Sequence, residues 1–398
     1  MSGIERPATP GEGRRIEAVD LLRGFVIILM VLDHTRDYVH PSGYGPDPLD
    51  PLTTTPLLYA TRWVTHLCAP IFVFLAGASA WLQMNSGKAM PVLSRFLFQR
   101  GCWILALELT VIPFGWSFSV PFVWFLQVLW AIGWSMIGLA AAIKLPRAAI
   151  LVLGLAIVAG HNLAANVQPE ALGLFSYAWM FLFKGGLLQY HGEPRVLLLY
   201  PVLPWFGVIL LGYAAGPVLA ARGRHRLHLS LGLGLIGTFL VLRLANVYGD
   251  PKPWTSMATA RQTIMSFLDV EKYPPSLMFI TVTLGIAFLL YPLLERLPKA
   301  AAHVLLVFGS VPLFAYITHI YVMHGVAILI RLLAGQSLDP MFDTIHDFLI
   351  APDAIAGTGF GLPMVYLVWL SVVALLYPLC RWFARIKRTR RDWWLSYL

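Results

Sequence analysis

Charge is what this sequence has least of. Only 12% of its 398 residues are Asp, Glu, Lys or Arg, against about 25% in an ordinary soluble domain. That scarcity excludes a water-soluble globule of this length. With 58% hydrophobic residues and a mean hydropathy of +0.71, the chain reads as a polytopic membrane protein. Cysteine is sparse too. Cys68, Cys102 and Cys380 are odd in number and far apart, so neither a disulfide framework nor a zinc site is indicated, and no metal is expected. Midspan carboxylates are few, which argues against proton-coupled transport. There is no fixed-period repeat. The first residues are polar and lack the apolar core of a signal peptide, so a cytoplasmic tail is expected there. A net charge of +9 does not make nucleic acid a partner, because the basic residues are dispersed between apolar runs and gather near the C-terminus.

Apolar runs dominate instead. Ten approach or exceed the roughly 20 residues that cross a bilayer: 21–39, 62–84, 98–115, 120–143, 148–165, 198–220, 229–248, 275–294, 304–333 and 362–385. The stretch 171–190 is interrupted by Lys184, Gly185 and Gly186; it reads as interfacial or re-entrant, with an eleventh span as the alternative. If the N-terminus is cytoplasmic, nineteen of the 29 Lys and Arg fall on the inner side and eight on the outer, with Arg23 and Arg243 inside spans. That bias favours both termini inside and an even number of crossings. The expected architecture is an all-α polytopic membrane protein of about ten transmembrane helices. A tail (1–18) precedes one transmembrane domain (19–386), and a basic tail (387–398) follows. The outer connections 40–61, 166–197, 249–274 and 335–361 show no strand pattern.

The first span is unusual. Gly24 to Leu32 is apolar, yet Asp20 and Arg23 lie before it and Asp33, His34, Arg36 and Asp37 after it. A charged residue deep in a membrane helix costs about 2.5–3.5 kcal/mol on insertion scales. At 100° per residue, Arg23 and His34 fall within roughly 20° of each other, about 16 Å apart along the axis. One helix face therefore carries polar groups towards both surfaces. Asp37, at i+3 from His34, is expected to orient its imidazole; Asp33, about 100° away, is the poorer partner. Asp20 and Arg23 suit an ion pair. Arg62 and His66 share a face of the second span, where Ala69, Ala76, Gly77 and Ala78 predict close helix contact; His34 and His66 are expected to face one pocket. Tyr316 and His319 share a face of the ninth run, with His319 a site candidate and His324 structural. Arg243 is a candidate for binding substrate, and Trp205, after two prolines at a span entry, for facing the pocket.

These segments resemble the heparan-α-glucosaminide N-acetyltransferase family, within the wider transmembrane acyltransferases. The resemblance lies in RIEAVDLLRGFVIILMVLDH, THLCAPIFVFLAG, YPVLPWFGVILLGYAAG, KYPPSL and FGSVPLFAYITHIYVMH. It implies an integral-membrane O- or N-acyltransferase. Acetyl-CoA would be bound from the cytoplasm, and the acetyl group would pass to a sugar amine or hydroxyl on the far side. Arg23 and His34 match the superfamily's R…H pattern. The heparan enzymes use a histidine of the first outer loop, where this chain offers His40. The implied catalytic set is His34, Asp37, His66 and His40; Asp20, Arg23, Arg95 and Arg100 would serve acetyl-CoA, and Arg36, Arg62, Trp205, Arg243 and His319 the acceptor. The expected partners are the bilayer, acyl-CoA and an envelope glycan or glycolipid in a bacterial inner membrane, with a homodimer left open. The alternative is a transporter or flippase using the same His, Asp and Arg groups.

Overall fold

The computed structural model describes residues 12–43, 45–221, 225–342, 344–350, 357–390 and 392–397. The first eleven residues of the expected N-terminal tail, the basic positions 222–224 and Arg391 lie outside them. The helices in chain order are α1 (Glu12–Val39), α2 (Pro56–Val64), α3 (Cys68–Asn85), α4 (Met90–Ser117), α5 (Val128–Ala142), α6 (Arg147–Gly160), α7 (Ser176–Trp179), α8 (Val202–Ala220), α9 (His225–Ala245), α10 (Ala260–Leu268), α11 (Leu277–Leu294), α12 (Lys299–Ser310), α13 (Pro312–Leu333), α14 (Thr344–Ile350) and α15 (Leu362–Thr389). Several starts are legible as caps. Thr55, Thr259 and Ser276 each accept a hydrogen bond from a backbone N–H in the first turn of the helix they precede, satisfying a donor the helix itself leaves open.

Among the described residues, eight helical units are long and apolar enough to cross a membrane. The 28-residue α1 is not among the eight, and α5 and α12 are shorter apolar helices. Nine of the ten apolar runs correspond to one helical unit each. Run 304–333 does not: it is two helices, broken at Val311, whose φ of −133° and ψ of 53° leave the helical region. Proline follows at 312, and a residue before proline is driven out of the α conformation. α12 runs antiparallel to α1, and α13 turns back to run beside it. Gly24 and Gly309 make the first contact possible: a side chain at Gly24 would overlap the Leu305 carbonyl, and one at Gly309 the Asp20 carbonyl. Gly77 and Gly212 do the same between α3 and α8, as the small residues of the second span predict. Leu151, Val152 and Leu155 of α6, and Leu233, Val241 and Leu244 of α9, are exposed, an apolar girdle of the kind a bilayer covers.

The expectation of no strands needs correcting. Trp124–Leu126 (β1), Gly186–Tyr190 (β2) and Glu193–Leu198 (β3) form a small sheet in the order β1-β3-β2, with β1 parallel and β2 antiparallel to β3. The first part of run 120–143 is thus loop and strand. Stretch 171–190 consists of short helical turns followed by β2, so it does not form a spanning helix.

Candidate functional site

Two polar centres lie at different heights on α1. In the first, Arg23 Nη1 donates to Asp20 Oδ1 at 2.6 Å and to the Gly309 carbonyl at 3.1 Å, and Nη2 donates to Ser79 Oγ of α3 at 2.8 Å. The expected Asp20–Arg23 ion pair is present. Beside it lies a cavity of about 570 Å³, within the usual range of small-molecule sites. Asp20, Arg23, Arg100, Ser310 and Lys387 give it polar walls; Phe72, Leu82, Ile104, Val128, Leu129 and Met136 give it apolar ones. The reversal at Val311 places Pro312, Leu313 and, one turn later, Tyr316 on its lining.

The second centre is a pair of histidines. His34 Nδ1 lies 2.7 Å from His319 Nε2, and the two rings stack with centroids 5.0 Å apart. α13 delivers His319 because it runs beside α1 after the break. His319 Nδ1 faces the Ala315 carbonyl at 3.3 Å. A carbonyl only accepts, so Nδ1 of His319 carries the hydrogen. In the neutral ring Nε2 is then the acceptor, His34 Nδ1 is the donor, and the lone pair of His34 rests on Nε2. This is the arrangement of a general base held in one tautomer by a second group. Trp116 stands edge-on to His34 at 5.1 Å, and Tyr316 at 6.5 Å from His34 and 5.5 Å from His319.

Asp37, the carboxylate expected to orient His34, is engaged elsewhere, and His319 takes that place. Asp37 accepts from Arg36 Nη2 at 2.5 Å, because that guanidinium is adjacent and intercepts it. Asp33 is the hub instead. It accepts from Thr65 Oγ1 at 2.8 Å and Arg36 Nη2 at 3.2 Å, with Arg62 Nη1 at 3.5 Å and Lys272 Nζ at 3.9 Å. Three cations thus surround one buried carboxylate beside the histidine pair. Arg36 and Arg62 are brought to the site in this way, and Lys272 was missed. Its signal was available: a lone lysine before an aromatic and two prolines, at the entry to α11.

The remaining candidates separate cleanly. His66 is buried and faces Phe279 at 5.2 Å; among the described residues its ring nitrogens have no hydrogen-bond partner. His40 caps a turn through Ser42 at 2.9 Å. Trp205 is fully buried and stacks on Tyr200 at 5.2 Å rather than facing the cavity. Arg100 lines the cavity, whereas Arg95 is exposed on a separate shallow hollow with Lys88 and Tyr397. Arg243 is a structural clamp. It donates to the backbone carbonyls of Phe267, Lys252, Ser266 and Asp269 at 2.6–2.9 Å, which corrects its reading as a substrate ligand. His324, bonded to the carbonyls of Gly115 and Met341, is structural as expected. Glu108 also escaped the sequence reading, although it is the one carboxylate in run 98–115. Fully buried in α4, it accepts the Gln127 N–H at the start of α5 through Oε1, compensating the positive end of that helix.

No curated protein matches the chain. A family model described as heparan-alpha-glucosaminide N-acetyltransferase, catalytic, matches residues 15–242, more than half of the sequence. The match takes in Arg23, Asp33, His34 and Arg62, while His319 and Tyr316 lie beyond it. The chain belongs to the heparan-alpha-glucosaminide N-acetyltransferase family, and is a multi-pass membrane acetyltransferase.

Proposed function

We propose that the protein transfers acetyl from cytoplasmic acetyl-CoA to a sugar amine or hydroxyl of an envelope glycan or glycolipid across a bacterial inner membrane, within a single transmembrane domain (19–386). One observation carries the reading: the 570 Å³ cavity has Arg23, Arg100 and Lys387 on its polar walls and reaches Tyr316, against which the His34–His319 pair stands. Guanidinium and ammonium groups suit the phosphates of CoA. The apolar wall suits its pantetheine arm. Excess Lys and Arg on the side of both termini supports a cytoplasmic position for the Arg23 end.

The acyl donor is already activated, so the site must supply a base and an oriented acceptor. His34 Nε2 takes the proton of the attacking amine or hydroxyl and returns it to the departing CoA thiolate. His319 holds the tautomer. Asp33, with Arg36, Arg62 and Lys272 around it, gives the acceptor side a fixed polar surface. The test is acetyl transfer by purified protein in liposomes, with glucosamine as the acceptor probe and acetyl-CoA added to the face that carries the termini. We expect His34→Ala to lower turnover by about 10²–10⁴-fold with acetyl-CoA affinity intact. Turnover equal to wild type removes His34 from the reaction, and a protein that binds no acetyl-CoA by calorimetry removes the donor assignment.

A further inference from the structure

Most buried tyrosines of this protein give their hydroxyls a partner: Tyr213 reaches Met84 Sδ at 3.7 Å, and several others reach the backbone. Tyr38 donates to the Trp116 carbonyl at 2.8 Å, Tyr59 to Met265 at 2.8 Å, Tyr291 to Leu219 at 3.0 Å and Tyr321, partly buried, to Val111 at 2.6 Å. A buried O–H without an acceptor costs about 1–3 kcal/mol, so each is tied to the backbone. Tyr316 is the exception. It is 4% exposed, and among the described residues its hydroxyl is the buried tyrosine oxygen with no hydrogen-bond partner. Tyr316 also lies on the lining of the cavity, one helical turn before His319 and edge-on to both histidine rings. A phenylalanine would fill the same core space without that penalty. The hydroxyl therefore calls for an acceptor that arrives in the cavity.

We propose that Tyr316 is a catalytic residue whose hydroxyl donates to the carbonyl oxygen of the acetyl thioester and holds the oxyanion that forms there. This rests on the acetyl-CoA reading above and adds the group that reading left unassigned. The step balances as follows. The acceptor nitrogen or oxygen attacks the carbonyl carbon and loses its proton to His34 Nε2. The C=O π pair moves onto oxygen, where the Tyr316 O–H receives it. Collapse re-forms the C=O, breaks the C–S bond and expels the thiolate, which takes the proton from His34. Acetylated acceptor and CoA thiol result. A donor fixed where negative charge develops contributes more than one in water, because it needs no reorganisation during the reaction.

Two ligands test this: acetyl-CoA, which carries the carbonyl, and S-ethyl-CoA, which differs chiefly in lacking it. Wild type should bind acetyl-CoA up to about tenfold more tightly, the range of one hydrogen bond, and Tyr316→Phe should bind both alike. In glucosamine acetylation at saturating acetyl-CoA, Tyr316→Phe should lose about 10²–10³-fold in kcat with the KM for glucosamine little changed. If that variant does not fold, 3-fluorotyrosine at 316, a more acidic donor of nearly the same volume, should widen the preference for acetyl-CoA. A wild type that binds both ligands equally, or a Tyr316→Phe enzyme with wild-type kcat, overturns the role of Tyr316 alone. A wild type that binds neither overturns the donor reading with it.

Discussion

Arg23 and Arg243 both sit in apolar helices, and by sequence they are equivalent: each is a lone guanidinium with a polar neighbour at i±3. Their surroundings differ. Arg243 is 1% exposed and its guanidinium is taken up by four backbone carbonyls of the 252–269 segment. It has spent its donors on holding that loop to α9. Arg23 shares its donors among Asp20, Ser79 and Gly309 and still lines an open cavity. A buried arginine is thus structural or functional according to what else its donors face, not according to its cost in the membrane.

The contrast is open to attack by mutation. Arg243→Ala should have the largest effect. It leaves buried carbonyls unsatisfied, at about 1–3 kcal/mol for each group left unpaired, so about 3 kcal/mol or more in total is expected, seen as a lower thermal midpoint in detergent. Its acetyl-CoA affinity, measured on the folded fraction, should stay at wild type; a parallel loss of affinity would dissolve the distinction. Arg23→Ala should do the reverse. Acetyl-CoA binding weakens about 10–100-fold by calorimetry, from loss of charge-assisted bonds worth about 1.5–3 kcal/mol, while the thermal midpoint falls less than in Arg243→Ala, because Arg23 leaves fewer buried carbonyls behind.

A smaller effect sharpens the structural side. Burial first, then Asp47, Glu271 and Asp250 nearby, push the Asp269 carboxyl up to about 6 against the pull of Lys252. Its folded value thus exceeds the unfolded one, so the native state holds the extra proton and stability falls as pH rises from about 4 through 6. Asp269→Asn should raise the thermal midpoint at pH 8 and leave it unchanged at pH 4. An unchanged midpoint at both would mean the carboxylate is not penalised. Arg95→Ala should have the least effect. Exposed and away from the cavity, it should alter acetyl-CoA affinity less than about twofold, within the range of a surface charge.

The helical periodicity of α1 was enough to place Arg23 and His34 on one face and to pair Asp20 with Arg23. It failed one residue further. Asp37 is geometrically the better partner for His34 on an isolated helix, but Arg36 captures it, and Asp33 points to Thr65, Arg62 and Lys272 on other elements. Partners contributed by distant segments leave no trace in the spacing of a single helix. The break at Val311 did leave one, in the proline that follows it, but an unbroken apolar run masked it. β2 and β3 were hidden for the opposite reason: short and only half-buried, they share the Gly- and Pro-rich composition of a loop. His319 was found as a residue, yet its pairing with His34 depends on that same hidden break.

The proton route proposed through His34 bears on the energetics of the membrane itself. On the proposed route the acetyl group leaves the thioester as the equivalent of an acylium cation and moves towards the far side. One proton comes back through His34 to the thiolate. The two positive charges cross in opposite senses and cancel, so a turnover is electroneutral. A net charge moved across 100 mV would carry about 2.3 kcal/mol; here that term vanishes. On that route the free energy of the thioester alone sets the direction of transfer, and the equilibrium is the same whether the membrane is energised or not.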